Sequence, residues 1–498
     1  MKEKRAVDSF FAAIPLEGVT FDDLSLIPQY ADFLPADTDI STQLTRHIRN
    51  NIPFISASMD TVTESKMAIA MAMLGGIGII HKNMDTAQQC EQVEAVKHYL
   101  NGLILHPITF HASETLKKVK ERKAQKGFNF SGFPILNNKD KLVGILTAAD
   151  MKFVSDQNVT IEKIMTTKVI TAGPDTSLEE AYKIMQHDKI GKLPLVKNGY
   201  LIGLYSFTDV STLIENAKPL FNRDSKHRLS VGAAISSNDE ERAEALAEKE
   251  VDVLVIDTAH GHSKGVLQMC RWLKKHFDRI DIIAGNIATE EAAIALQKAG
   301  ADAVKVGIGP GSICTTRVIA GVGIPQVSAI YKCAKALNSS IPVIADGGIR
   351  YTGDVAKAIV AGADTVMMGS VLAGTEESPG EKIIHQGRQY VIYRGMGSLG
   401  AFESAIGSRE RYEQADLKRA DWIPQGVEGM VPYAGTVEKV LKQFIGGLRT
   451  SLGYCGCRTI GQFKENGNFV HISSSGIREA HPHDVKIIKE APNYTLNF

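Results

Sequence analysis

Two rhythms divide the chain. In the first, short apolar runs with no polar alternation are spaced between amphipathic stretches. The runs are IPFISAS (52–58), GIGIIH (76–81), RLSVGAA (228–234), VDVLVID (251–257), DIIAGN (281–286), AVKVGIG (303–309), IPVIADGG (341–348) and DTVMMGS (364–370). Segments such as SKMAIAMAML, ERAEALAEKE, TEEAAIALQKAG and GDVAKAIVAG lie between them and carry apolar residues at helical spacing. Strands that are apolar throughout are buried on both faces, and alternation with helices makes them parallel. Eight such units predict an α/β fold, a closed (β/α)8 barrel, with a doubly wound open sheet as the alternative.

The second rhythm is a duplication. PITFHASETLKKV (Pro107–Val119) is echoed by VITAGPDTSLEEA (Val169–Ala181), FPILNN by LPLVKN, and LVGILTAADM by LIGLYSFTDV. The offset is about 60 residues, which marks repeated supersecondary units. Each copy reads strand, helix, strand, strand, helix. The pair interrupts the barrel after its second helix, TAQQCEQVEAVK, an insertion that loop-closure entropy penalises only weakly. The expected layout is a barrel over 1–99 and 221–498, a first module over 100–160 and a second over 161–220. Thr147-x-x-Asp150 and Ser206-x-x-Asp209 stand at equivalent places in the copies. That spacing is a helix-start signal, and its recurrence equally suits paired nucleotide-binding modules.

Composition excludes several classes. Of 498 residues, 44% are hydrophobic and 22% charged, and Lys plus Arg equals Asp plus Glu at 56 each. That balance gives no electrostatic footprint for nucleic acid or a membrane surface. No apolar run approaches the ~18 residues needed to span a bilayer. The stretch from Met1 to Leu16 lacks the continuous apolar region of a secretory signal. Six cysteines in a chain this long are not a disulfide framework, so the cytoplasm is the expected compartment. Cys455 and Cys457 form a C-x-C pair with no second ligand pair at zinc spacing, and are read as structural.

Barrel chemistry belongs at the C-terminal ends of the strands, and most runs end there in glycine or small polar residues. The most informative segment is GIGPGSICTTR (Gly307–Arg317) after the sixth run. Cys314 lies in a polar, glycine-rich loop beside Thr315, Thr316 and Arg317, a setting that favours a reactive thiolate over a buried structural thiol. Asp346–Ile349 (DGGI) and Gly369–Ser370 close the seventh and eighth strands, where barrels commonly bind phosphate on backbone N–H groups. Asp346 is placed to accept hydrogen bonds from ribose hydroxyls, although Asp-Gly-Gly is also a common turn. Gly395-x-Gly397-x-x-Gly400 formally matches a dinucleotide fingerprint. It is read as a false positive, because no helix is expected to open there and no βαβ unit follows.

FDDLSLIP, SASMDTVTE, GGIGIIHKNM, GIGPGSICTTRVIAGVGIPQ, IADGGIR, YRGMGS, GVEGMVPYAG and HPHDVKIIKEAPNY together resemble the inosine 5′-monophosphate (IMP) dehydrogenase family over nearly the whole chain. The inserted pair resembles two CBS modules on a TIM barrel. The resemblance implies that Cys314 attacks C2 of IMP, that NAD takes the hydride, and that water hydrolyses the resulting thioimidate. It implies a flap at about 398–435 that supplies Arg411 and Tyr412, with Arg411 as base and Thr316 nearby. IMP would be held by Ser312, Asp346, Gly347, Gly348, Gly369, Ser370, Tyr393, Arg394, Gly395, Met396, Gly397 and Gln425, the last a position where family members carry either Glu or Gln. Asp257, Asn286, Gly307, Ile308 and Gly309 would face NAD. A potassium ion would be held by Gly309, Gly311 and Cys314 with Glu479, Ala480 and His481 of a neighbouring subunit, which implies a homotetramer or octamer. Regulatory nucleotides are expected at the CBS pair.

Two other readings compete. A GMP reductase shares the barrel and cysteine loop but is expected to lack the insert and the long flap. A nucleotide-sensing regulator with an inert barrel would have no use for Cys314, Thr316, Arg411 and Tyr412.

Overall fold

In a computed structural model the chain is described at residues 5–13, 18–99, 103–104, 107–125, 132–215, 220–226, 228–489 and 491–494. Parts of the Met1–Leu16 stretch, and residue 100 at the expected module boundary, lie outside these.

Eight parallel strands close into a barrel: β1 Phe54–Ser56, β2 Ile77–Ile80, β3 Val231–Ile235, β4 Val253–Asp257, β5 Asp281–Ile287, β6 Ala303–Val306, β7 Val343–Asp346 and β8 Thr365–Met368. Each falls within or against one of the eight apolar runs. Closure is made where β8 pairs with β1, Met367 opposite Ile55, and the open-sheet alternative is thereby excluded. Ile55, Ile79, Val255, Ile283, Ile344 and Met367 fill the interior as one apolar cluster. The opposite strand faces, among them Phe54, Ile80, Leu254 and Val304, pack under the outer helices. Both faces are therefore dry, which is why these strands read as continuous apolar runs.

Helices α1 Ser65–Met73, α2 Thr86–Lys97, α3 Glu240–Glu248, α4 Lys264–His276, α5 Glu290–Ala299, α6 Gln326–Leu337 and α7 Thr352–Ala361 follow the strands in turn, and α8 Val437–Tyr454 completes the ring. Ser263, Thr289 and Thr436 cap the starts of α4, α5 and α8 through their side-chain oxygens. Between β8 and α8 lies a long excursion with an antiparallel sheet of Lys382–His385, Arg388–Arg394 and Glu428–Pro432.

By contacts, the chain divides into two units: Met1–Lys97, Leu220–Asp224 and Leu229–Phe498 in one, His98–Pro219 and Ser225–Arg228 in the other. The chain leaves the barrel at the end of α2 and returns ahead of β3. Lys97, 2% exposed, sits at that exit and donates to Asp224 at 3.0 Å and to Asp252 at 2.6 Å. Asp252 in turn accepts from the backbone N–H of Val231, the first residue of β3.

The smaller unit carries two halves with separate cores, one around Phe110, Phe133 and Leu146, the other around Met185, Leu193 and Tyr205. The first half keeps the expected element order. In the second, the leading strand is reduced to a single bridge, Ala172 to Leu195. The two S/T-x-x-D signals also diverge. Thr147 and Asp150 form a reciprocal cap on a short helix, whereas the Ser206 hydroxyl accepts from Lys192 at 2.8 Å.

Candidate active site

A cavity of about 360 Å³ opens at the C-terminal ends of the strands. Its walls include Ser58, Asp257, Asn286, Lys305, the whole 307–314 loop, Thr316, Asp346, Gly347, Gly348, Gly369, Ser370, Tyr393, Gly395, Met396, Arg411, Tyr412 and Gln425. Segments far apart in sequence thus converge on one space.

Cys314 is the half-buried cysteine of the chain, and the other five are buried. Burial pushes those five thiols up, to about 12 at Cys270 and Cys333 and about 11 at Cys457. The Cys314 sulfur lies 3.1 Å from Thr316 Oγ1 and 3.7 Å from the Gln425 carbonyl oxygen. The loop is braced on both sides. Arg317 donates to the carbonyls of Ile308 and Ile324, and Thr315 N–H donates to the carbonyl of Gln425.

Gly347 and Gly348 have φ of +92° and +83°, a left-handed pair that other residues adopt only under strain. They turn the chain beneath the cysteine loop, against Pro310. At Gly397 a Cβ would meet the Tyr412 ring at 2.7 Å, so that glycine admits the tyrosine. The Tyr393 hydroxyl, pushed up by burial, stands beside Gly369 and Ser312.

The floor of the cavity is ionic. Lys305, on β6 and 1% exposed, lies 2.9 Å from Asp257 Oδ1 and 2.6 Å from Asp346 Oδ2, and also contacts Asn286 Oδ1. Ser58 donates to Asp257 Oδ2 at 2.8 Å, and Arg411 pairs with the same oxygen. Burial alone would raise the Asp257 carboxyl, but Arg411, Lys305 and Lys82 override it and hold it well below the carboxylate range. Burial would likewise lower the Arg411 guanidinium, and Asp257 reverses that and raises it. Arg411 is therefore a cation in this arrangement. Burial pushes the Tyr412 hydroxyl up to about 12 despite the neighbouring Arg411.

Some expected residues stand elsewhere. Arg394 turns away from the cavity and clamps Asp60 at 2.7 and 3.2 Å. Asn286 lines the wall, but its amide is spent on Gly307, Asp346 and Lys305. Glu479, Ala480 and His481 lie at the end of helix Ser474–Ala480, outside the cavity wall, with the His481 ring beside Tyr351 and Tyr494. One expectation is corrected at Gly395–Gly400: a short helix, Leu399–Ser404, does open there, because the Ser398 hydroxyl accepts from the N–H of Ala401. It belongs to no βαβ unit, since the strand before it is antiparallel. Cys455 and Cys457 are buried. Among the described residues, the His/Cys/Asp/Glu group close enough to share an ion is His47, Asp281 and Asp302, which includes neither. No helix of the described residues is long and apolar enough to cross a membrane.

Lys305, Lys82 and Ser58 were not singled out from the sequence. The available signal was a lysine flanked by apolar residues inside a barrel strand, since lysine is almost never fully buried unless paired.

A family model described as "IMP dehydrogenase / GMP reductase domain" matches residues 18–483. The chain belongs to the IMP dehydrogenase/GMP reductase family. It is 50% identical to inosine-5′-monophosphate dehydrogenase of Halalkalibacterium halodurans over 96% of this chain and 98% of that protein. The Bacillus subtilis dehydrogenase is 49% identical over 97% of this chain and 98% of its own length. A solved structure of GMP reductase from Trypanosoma brucei, a cysteine-to-alanine variant in complex with guanosine 5′-monophosphate, superposes with a TM-score of 0.85 at 38% identity. It covers 95% of this chain and 99% of that one. That coverage leaves no room to omit the insert, so the insert does not separate dehydrogenases from reductases in this family, contrary to the expectation above.

Proposed function

We propose that the chain oxidises IMP to xanthosine 5′-monophosphate with NAD, the committed step of guanine nucleotide synthesis. The observation that carries this reading is the delivery of Arg411 and Tyr412 into the cavity of Cys314. Oxidation must end in hydrolysis of a covalent adduct, and a reductase has no such step.

The Cys314 thiolate adds to C2 of the purine, with the phosphate on the backbone N–H groups of Gly348, Gly369 and Ser370 and the ribose on Asp346. NAD supplies the acceptor for the hydride that leaves C2. A thioimidate on Cys314 remains, water adds to C2, and the thiolate departs as a proton is released. Splitting one substitution into two steps lowers each barrier. Thr316 Oγ1, 3.1 Å from the sulfur, is placed to relay that proton. Arg411, held as a cation by Asp257, stabilises negative charge; to serve as the base it needs release from that pair and a further strong downward shift, and otherwise the proton passes through Thr316 or Tyr412.

Asp257 is the acceptor that a cofactor ribose diol requires, and Arg411 occupies it here. Flap and dinucleotide therefore claim one carboxylate and bind in turn. For potassium, the donors at Gly309, Gly311 and Cys314 are backbone oxygens, and helix Ser474–Ala480 ends in carbonyls without intrahelical partners. Such a set suits a hard monovalent cation, which would brace the cysteine loop from a neighbouring subunit in a homotetramer or octamer. The paired halves of the smaller unit fit CBS modules binding regulatory nucleotides, and a cytoplasmic setting suits six unpaired thiols.

The test is Cys314→Ala with IMP and NAD. Turnover is expected to vanish while IMP still binds. Intact mass should trap an adduct on the unaltered enzyme and none on the variant, and an adduct on Cys333 would overturn the assignment.

A further inference from the structure

We infer that Asn83 and Glu410 are positioning residues: they dock the flap on the loop after β2, and this docking sets how fast the Cys314 adduct is hydrolysed. The inference rests on the two-step reading above.

The docking surface is the backbone of Lys82 and Asn83. Helix Ile406–Arg411 sits on it so closely that a Cβ at Gly407 would meet the Lys82 carbonyl at 2.2 Å. Asn83, 5% exposed, then uses both ends of its amide. Its Oδ1 accepts from the N–H of Ser408 at 3.0 Å, and its Nδ2 donates to the carbonyl of Ala401 at 3.2 Å and to Asp60 at 2.8 Å. Asp60 holds Arg394 at the end of the strand whose next residues line the cavity. One amide thus ties both flap helices to the segment that meets substrate.

A second tie lies on the other side of the helix. Glu410 accepts from Ser236 at 2.6 Å, and Ser236 accepts from Lys82 at 2.8 Å. Lys82, 2% exposed, also donates to the carbonyl of Asp257 at 3.0 Å. Glu410 therefore adds a carboxylate, through Ser236, to a buried ammonium that already feels the charges of Asp257 and Asp239 but donates directly only to carbonyls and a hydroxyl. Between the two ties, the N–H of Ala259 donates to the carbonyl of Arg411 at 3.0 Å. Three points fix the helix turn that aims Arg411 and Tyr412, and neither Asn83 nor Glu410 lines the cavity itself.

The experiment compares Asn83→Ala, Glu410→Gln and Glu410→Asp in the full-length enzyme by rapid mixing with IMP and NAD. NADH burst rate should be unchanged in all three, and the KM for IMP in the two Glu410 variants. Decay of the Cys314 adduct should slow about tenfold for each tie removed, the worth of one charge-assisted hydrogen bond, and Glu410→Asp should recover part of the loss. Hydrogen exchange of the peptide over 398–413, without ligands, should rise in the first two variants and nowhere else. Glu410 is half-buried on a short helix, so its variants keep the fold even where Asn83→Ala does not. A burst slowed in parallel with decay, an unchanged decay, or unchanged exchange in that peptide overturns the docking role. Absence of any burst or adduct in the unaltered enzyme overturns the two-step reading instead, and exchange alone then decides the docking.

Discussion

Arg411, from the excursion between β8 and α8, closes a buried ion pair with Asp257 at the end of β4, in the cavity that the nucleophile's loop also lines. The carboxylate serves three cations and a hydroxyl at once: Arg411, Lys305, the more distant Lys82, and Ser58. Its removal leaves all three cations with one counter-charge fewer at a buried position.

Asp257→Asn should therefore damage both halves of the reaction. The KM for NAD should rise, the NADH burst should slow, and adduct decay should slow with it. Breaking a buried pair in this way costs about 3–5 kcal/mol, so the denaturation midpoint should fall as well. Stopped-flow absorbance and a urea melt check this, and a normal burst in the variant would remove Asp257 from the cofactor site.

Arg411→Ala should behave differently. If Arg411 serves hydrolysis alone, one equivalent of NADH per site should still appear rapidly. Steady turnover should then fall about 10² to 10⁴-fold, the usual worth of a positioned acid–base group. The adduct on Cys314 should accumulate, which intact mass reads directly. A burst slowed as much as turnover would assign Arg411 to binding or hydride transfer.

Asp209, in the second half of the smaller unit, carries a pH signature. Burial raises its carboxyl to about 6, and Lys192 only partly opposes the shift. A folded value above the unfolded ~3.9 favours the protonated fold. The contribution is full below about pH 4 and is lost as pH rises through about 6. Asp209→Asn should thus melt higher than the unaltered chain at pH 8, with the gap closing towards pH 4. An equal melting temperature of the two proteins across that range would show the carboxyl to be solvated.

The barrel was legible because its chemistry is local. A strand dry on both faces is apolar along its length, so VDVLVID ends with β4 and AVKVGIG begins with β6. The cysteine loop was legible for the same reason, since its glycines and Cys314 are contiguous. Lys305 was hidden by that local pattern: one polar residue in an apolar run does not announce Asp257 and Asp346 as its partners. Asn83 and Glu410 were invisible because each matters through a residue hundreds of positions away or on a segment whose charges read as solvated surface. The helix at Leu399 was missed because a single cap, Ser398, outweighs the glycines around it.

Lys97 and Asp224 close the point where the smaller unit leaves the barrel and returns. Mechanically, this buried pair clips together the outgoing and returning ends of the barrel's own chain, and Asp252 fastens the clip to the base of β3 and β4. Tension on the tether is absorbed there, at the end of the strands remote from Cys314. A cassette mounted in this way can be exchanged, lengthened or lost at little risk to the strands that aim the nucleophile.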